Sequence, residues 1–247
     1  MVHLPVTRYS LLITYLHALL ELFYPLHCAG CGCYLLGKKS LCEECWDKAK
    51  PLSDYICSIC SHQLNIPQED FTCCENCGDR NLHFVAGVSA FRHDGLVSQL
   101  LYQFKYGGDQ SLKKVMGEFI DVALNEERLQ GVLFSAVVPV PLYRLRERER
   151  EFNQARLIAE EVAGRLLCPV ENLLQRVKPT SMQALSDRKQ RIQNLKGAFA
   201  IKSHQLLSGN YLLVDDVLTT GSTLDECAKV LLQAGASKVW AVTVARG

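Results

Sequence analysis

Residues 212–224 read LLVDDVLTTGSTL, and this stretch decides the fold. Its first three apolar residues predict the end of a buried parallel strand, and the carboxylates of Asp215 and Asp216 come where that strand is expected to end. A loop of small hydroxyl residues around Gly221 then leads into a helix. The N–H groups of such a loop and of a helix N-terminus bind phosphate, and Thr and Ser hydroxyls add donors.

Two interpretations of this stretch stay open. In the first it is a phosphate cradle, and the adjacent acids face the ribose hydroxyls of the same ligand, with a divalent cation nearby. In the second, a strand, a polar turn and an N-capped helix bind no ligand. Paired acids ahead of a hydroxyl-rich loop favour the first.

Along its whole length the stretch resembles the phosphoribosyl pyrophosphate (PRPP) motif of type I phosphoribosyltransferases. The resemblance implies that Asp215 and Asp216 hold the ribose of PRPP. It also implies that the 5-phosphate is bound by Thr219, Thr220, Gly221, Ser222 and Thr223.

Composition is that of a soluble chain with one domain and a smaller module: 247 residues, 48% hydrophobic, net charge +1. Near-neutral charge excludes a global attraction to nucleic acid or membrane, so such binding needs a local patch. The apolar residues 11–20 are too few to span a bilayer. Residues 1–27 predict an amphipathic helix that caps the next module, with an interfacial membrane helix as the alternative. No export signal is visible, which predicts a cytoplasmic location without an integral membrane segment.

Cysteine is concentrated in residues 28–81, where ten of the twelve lie. Eight form four CxxC pairs, the spacing at which two thiolates of one turn bind a tetrahedral metal ion. The pairs predict a module with two structural Zn²⁺ sites built from Cys28, Cys31, Cys42, Cys45, Cys57, Cys60, Cys74 and Cys77. Cys33 and Cys73 are left over, and either can substitute as a ligand. The alternative, a disulfide framework, suits CxxC turns poorly.

From residue 82 onward, strands and helices alternate. The patterns predict strands at 84–91, 132–138, 212–214 and 239–244, and helices at 95–106, 111–126 (N-capped by Ser111) and 148–167. This alternation predicts an α/β domain over 82–247, a parallel sheet with helices on both faces. Ligands of such folds bind beyond the carboxyl ends of strands, where Asp215 and Pro139 both fall.

Two basic segments lie between these landmarks. Residues 142–154 include Arg144 and Arg146 and contain i,i+3 pairs of Arg and Glu, which an exposed helix also shows. Their place after the strand end at Pro139 favours a role in binding pyrophosphate. Residues 176–199, with Arg176 and Lys178 at their start, predict either a lid over an anionic ligand or a solvated linker.

The order of these motifs resembles the ComF family, which includes GntX-type proteins. Besides the cysteine pairs and the PRPP motif, the matching segments are 104–106 (FKY), 138–141 (VPVP), the Arg-rich run to 152–154 (FNQ) and 176–199. The resemblance implies a type I phosphoribosyltransferase-like fold, a flexible catalytic loop at 176–199 and a part in DNA uptake during natural transformation. The chain departs from the family at Glu151, where glycine is expected; a carboxylate there would repel pyrophosphate.

Three functional hypotheses follow. The first is a phosphoribosyltransferase that uses PRPP with Mg²⁺, in which Asp215, Asp216, Arg176 and Lys178 are catalytic and Arg144, Arg146 and Lys105 help to bind PRPP. The second is a protein that binds single-stranded DNA, and the third is a zinc-stabilised interaction scaffold. The intact acid pair favours a PRPP-binding, phosphoribosyltransferase-like protein of DNA uptake or utilisation. Its expected partners are PRPP or another sugar phosphate, single-stranded DNA and DNA-uptake machinery proteins.

Overall fold

The computed structural model describes residues 26–35, 37, 39–52, 55–64, 74–178, 193–202 and 206–247, with the backbone alone at 144–146. It forms two compact units, Met1–Lys48 and Ala49–Gly247. The helix predicted over 1–27 falls almost wholly outside the described residues. Among the helices that the structure describes, none has the length and apolar character needed to cross a membrane.

The first unit is built around a cysteine turn. The amide of Cys28 donates to the carbonyl of Cys33 and the amide of Gly32 donates to the carbonyl of Cys28, both at 2.8 Å. Gly32 has φ +75°, a conformation that glycine adopts without a Cβ clash. Helix α1 (Glu43–Lys48) follows and buries Cys45.

The second unit carries a four-stranded, wholly parallel sheet. Its strands in chain order are β1 (Gly87–Arg92), β2 (Ala136–Pro139), β5 (Asn210–Leu218) and β6 (Lys238–Arg246), and their spatial order is β1-β6-β5-β2. Two short strands, β3 (Leu174–Arg176) and β4 (Phe199–Ile201), form a separate antiparallel pair.

The second unit also contains helices, three of which pack on the sheet. The helices are α2 (Gly95–Tyr106), α3 (Lys113–Leu124), α4 (Arg144–Arg150), α5 (Gln154–Leu166) and α6 (Ser222–Gln233), with 3₁₀ turns at Gln110–Leu112 and Glu127–Leu129. Helix α3 packs on β1 and β6, α5 on β2 and β5, and α6 on β4, β5 and β6. Under α6, Leu213 of β5 and Val138 of β2 join Leu231 in one buried cluster. The predicted parallel sheet flanked by helices, with an N-terminal Cys-rich module, is confirmed.

The predicted helices differ from the observed ones at two places. Helix 95–106 is confirmed, whereas 111–126 begins later because the Asp109 side chain, not Ser111, caps the preceding 3₁₀ turn by accepting from the Ser111 amide at 2.9 Å. The single helix predicted over 148–167 is wrong. Glu151 takes a left-handed φ of 63° that ends α4, and the Asn153 side chain accepts from the Ala155 amide at 3.0 Å to start α5.

The segment predicted as a lid or linker over 176–199 starts and ends in strands β3 and β4. Its centre, residues 179–192, lies outside the described residues. The two strands have three residues each, too few for a period-2 pattern to reveal them.

Candidate functional site

The acid pair lies within β5, which continues to Leu218 rather than ending before the acids. Asp215 stands beside Thr243 of β6 in the sheet, and its Oδ1 accepts a hydrogen bond from the amide of Asp216 at 2.9 Å. Successive side chains of a strand point to opposite faces, so the two carboxylates meet different neighbours.

Asp216 faces the last turn of α2. Its Oδ2 lies 2.6 Å from Nζ of Lys105, and both side chains are largely buried. Burial lowers the pKa of His93, and the charge of the same Lys105 lowers it further. The charge of Asp216 opposes that shift. The structure thus joins two sequence-predicted site residues in one ion pair.

Asp215 faces the other way, towards α6 and β3. Burial and the charge of Asp216 raise the pKa of Asp215 to about 7, against the opposing charges of Lys105 and Arg176. Burial and the charge of Asp215 also raise the pKa of Cys227 in α6. A carboxyl with a pKa near neutrality loses its proton readily when a cation or a ligand hydroxyl approaches.

The predicted phosphate loop connects the end of β5 to α6. Gly221 has φ +76° and precedes the first residue of the helix; a Cβ there would meet Leu218 and Phe84 at an ordinary 3.5 Å. Backbone conformation, rather than space, therefore selects glycine. The Oγ1 of Thr220 lies 2.9 Å from Oγ of Ser222 and accepts from the Ser222 amide at 3.4 Å. Together with the N-terminus of α6, these donors form an arrangement that fits an anion.

The predicted cations are distributed unevenly. Arg176 ends β3 with its guanidinium 5.5 Å from the Phe199 ring, and its charge acts on Asp215. Lys178 is exposed, and its Nζ donates to the carbonyl of Lys196 at 3.1 Å, within the same hairpin. Arg144 and Arg146 begin α4, but their side chains lie outside the described part of the chain. The structure brings Arg176, and not Lys178, to the acid pair.

A cavity of about 530 Å³ opens between the end of β2 and β3. Its lining includes Pro139, Tyr143 and Arg176, with Lys202 and Arg156 as further cations and Glu147 as an acid. The predicted pyrophosphate loop and the base of the predicted catalytic loop therefore share one cavity.

A second cavity, of about 570 Å³, is lined by Lys105, Arg150 and Glu151 among others. Arg150 is engaged there, since it donates to the hydroxyl of Tyr106 at 3.0 Å and to Oε1 of Gln154 at 3.1 Å. Glu151 itself occupies a left-handed conformation, which is the physical reason that glycine suits this position.

The cysteines gather in two clusters, each with four sulfur atoms within 4.8 Å of one another. The second cluster is the predicted set Cys57, Cys60, Cys74 and Cys77, and all four are buried. The first is Cys28, Cys31, Cys33 and Cys42. Cys45 lies beside it: burial and hydrogen bonds with the thiols of Cys28, Cys42 and Cys31 raise the pKa of Cys45.

Four thiols at this spacing fit tetrahedral Zn²⁺ with Zn–S bonds of about 2.3 Å. The described cysteines, from Cys28 to Cys227 with Cys73 outside the described residues, are free thiols rather than disulfides. Two structural zinc sites are therefore supported. The first site has five candidate thiols, because Cys33 joins Cys28, Cys31 and Cys42 in the cluster and Cys45, the ligand predicted from the spacing, lies beside them.

Sequence reasoning missed four residues that join the second cluster to the phosphate loop: Arg80, His83, Asp225 and Arg246. Nη1 of Arg80 donates to the carbonyl of Thr220 at 2.5 Å, and the amide of His83 donates to Oδ1 of Asp225 at 2.7 Å. The one available signal was the position of Arg80, three residues after a cysteine pair.

Residues 19–81 match the family model described as the double zinc ribbon domain. Competence protein F of Haemophilus influenzae is 30% identical to this chain over 230 residues, which cover 91% of this chain and 98% of that protein. DNA utilization protein YhgH of Escherichia coli is 29% identical over 215 residues, 79% of this chain and 93% of its own. Competence protein ComFC of Bacillus subtilis is 27% identical over 218 residues, covering 84% and 85% respectively.

Proposed function

Because the chain belongs to the ComF family, we propose that it binds PRPP beside Asp215 and Asp216 and acts in the uptake or utilisation of DNA. One observation supports the proposed ligand: a hydroxyl-rich loop at the N-terminus of α6 adjoins a half-buried acid pair. The biological role rests on relatives named for competence and DNA utilization. We propose a cytoplasmic location because thiolate clusters need reduced cysteines.

The 5-phosphate of PRPP would bind in the loop of residues 219–223. The left-handed Gly221 lets the backbone approach the anion, and the hydroxyls of Thr220 and Ser222 lie close enough to donate to the same group. A helix N-terminus adds a partial positive charge there. The loop supplies hydrogen-bond donors and has no acidic side chain that would repel a phosphate monoester.

The acid pair would hold the ribose. The two acids are neighbouring residues of one strand that point to opposite faces of the sheet, so each would act on the ribose in a different way. Asp216 is already paired with Lys105, whereas Asp215 has a pKa of about 7. Hydrogen bonds from the ribose hydroxyls would favour the ionised form of Asp215, and its proton would then leave the protein.

Mg²⁺ is a further proposal. It takes oxygen ligands at about 2.1 Å and, when bound with PRPP, would neutralise charge on the diphosphate. The acid pair and the ligand's own phosphates fit that preference. Among the protein's own groups, Arg176 would face the departing pyrophosphate from β3, and Lys178, Arg144 and Arg146 are the further predicted cations.

Isothermal titration calorimetry tests this proposal. Wild type should bind PRPP in the presence of Mg²⁺, and ribose 5-phosphate should compete for the loop. The double variant Asp215→Asn/Asp216→Asn should have an at least about tenfold lower affinity for PRPP, because it loses charged hydrogen bonds. Asp121→Asn is the matched control, because that exposed acid pairs with Arg165 on the surface. Wild type that binds neither PRPP nor ribose 5-phosphate would refute the proposal.

A second candidate function, the binding of single-stranded DNA, is favoured by the cations Arg156, Arg176 and Lys202 around the cavity beside β2. Neutralising three phosphates of a single strand predicts a slope of about −2 in log K against log salt concentration. Fluorescence anisotropy with an oligonucleotide measures that slope, and Lys202→Gln should reduce its size by about 0.7. A slope near zero would exclude this function.

A further inference from the structure

The second cysteine cluster is packed against the phosphate loop. Its residues and the loop belong to the same compact unit, Ala49–Gly247, whereas the first cluster lies in Met1–Lys48. The amide of Gly87 on β1 donates to the carbonyl of Ile59, between two cluster cysteines, at 2.7 Å. The second cluster is thus tied to the sheet through the backbone.

Arg80 connects this cluster to the loop directly. Its amide donates to the carbonyl of Cys77 at 3.0 Å, so its backbone position follows that of a cluster cysteine. Its guanidinium, with the side chain 10% exposed, donates to the carbonyl of Thr220 and lies 3.5 Å from Oδ2 of Asp225 in the first turn of α6. His83 holds the other oxygen of that carboxylate, with its amide at 2.7 Å and its Nδ1 at 2.9 Å.

Arg246 makes a second connection from the end of β6. Its buried guanidinium donates to the carbonyl of Cys60 and to the carbonyl of Leu218, each at 2.9 Å. Leu218 is the last residue of β5, and the phosphate loop follows it directly. One arginine therefore fixes the start of the loop, and Arg80 fixes its middle.

We propose that Arg80 and Arg246 are positioning residues of the sugar-phosphate site, and that the metal held by Cys57, Cys60, Cys74 and Cys77 keeps the phosphate loop in its binding conformation through them. This inference depends on the proposed function only for the identity of the ligand. The two cysteine clusters then have different roles, because the first lies in a separate unit.

The physical reason is the loop's own composition. A loop of small hydroxyl residues around a left-handed glycine has little side-chain packing of its own, and unbound it would sample many conformations. Two charge-assisted hydrogen bonds restrict that freedom. Arg80 donates to the carbonyl of Thr220 within the loop, and Arg246 donates to the carbonyl of Leu218 just before it. Phosphate affinity then depends on groups that never touch the ligand.

The test uses the zinc-loaded full chain without ligand. Hydrogen exchange of the amides in residues 219–226 is compared between wild type and Arg80→Gln, which keeps all cysteines. Arg128→Gln is the matched control, since Arg128 also holds the second cluster, through the carbonyls of Cys57 and Ser58. A parallel comparison sets Cys60→Ser against Cys31→Ser, one ligand from each cluster.

Arg80→Gln and Cys60→Ser should speed loop exchange about tenfold or more, the loss expected for a charged hydrogen bond. Arg128→Gln and Cys31→Ser should leave it within about twofold of wild type. Arg80→Gln should also lower the affinity for ribose 5-phosphate about tenfold. Unchanged loop exchange in an Arg80→Gln protein with wild-type zinc content would overturn the inference. If wild type binds no sugar phosphate but Arg80→Gln still speeds loop exchange, the proposed function fails and the positioning role stands.

Discussion

Asp215 should make the stability of the protein depend on pH. Burial and the charge of Asp216 raise the pKa of Asp215 to about 7, compared with about 3.9 in an unfolded chain. The native state therefore holds this proton more tightly. Its contribution favours folding below about pH 4 and is lost as pH rises to about 7, a total of up to about 4 kcal/mol.

The substitution Asp215→Asn removes that dependence. Between pH 5 and pH 8, ionisation of Asp215 should lower the free energy of unfolding of the wild type by about 2 to 3 kcal/mol. The variant does not have this loss. For a unit of this size the gap in Tm between variant and wild type should widen by about 5 to 10 °C over that interval, in favour of the variant. Circular dichroism melts of zinc-loaded protein at both pH values measure the gap, and comparison within each pH cancels the titration of the cysteines.

Asp121→Asn is the control for this prediction, because it removes an exposed carboxylate of α3 that pairs with Arg165. Its Tm gap to wild type should be similar at pH 5 and pH 8. The reasoning is refuted if Asp215→Asn shows the same gap at both pH values, or a gap that narrows as pH rises.

Three further predictions follow from the same geometry. Replacing Glu151 by Gly should raise stability by about 1 kcal/mol, because the left-handed backbone at this position strains any residue with a Cβ; a lower Tm in thermal melts would contradict this. Elemental analysis should find two zinc ions per chain in wild type and in each of the single variants Cys33→Ser and Cys45→Ser. It should find one in the double variant, because either thiol completes the first site. Loss of a zinc ion in only one single variant would contradict this and would identify that cysteine as the fourth ligand. Arg176→Gln should weaken pyrophosphate binding about tenfold, and Lys178→Gln much less, because the Lys178 ammonium is held by its own hairpin; calorimetry that shows the reverse order would reject this assignment.

Much of the fold was predictable because its signals are local. The stretch of residues 212–224 and the alternation after residue 82 predicted the parallel sheet, and the helix Gly95–Tyr106 was predicted at both ends. The break between α4 and α5 was harder to see, because Asn153 is an N-cap within a run of good helix formers. The hairpin of β3 and β4 is held by contacts with the rest of the unit rather than by its own pattern.

The candidate site divides in the same way. The acid pair and the phosphate loop are predictable because their residues are adjacent in the sequence. Lys105 and Arg176 come close to the acids through tertiary packing, and the only sign of it in the sequence is the order of the motifs. The connections through Arg80 and Arg246 span 140 and 186 residues, so no local pattern encodes them. The choice between Cys33 and Cys45 likewise depends on how the chain turns in three dimensions.

The most direct test of the sugar-phosphate site is ³¹P NMR of PRPP, since it resolves the 5-phosphate from the diphosphate. With Mg²⁺ and wild type, both signals should shift or broaden. With Thr220→Val/Ser222→Val, the 5-phosphate signal alone should return towards its free position. If wild type leaves the 5-phosphate signal unchanged, or if the double variant affects both signals as wild type does, residues 219–223 are not the phosphate site.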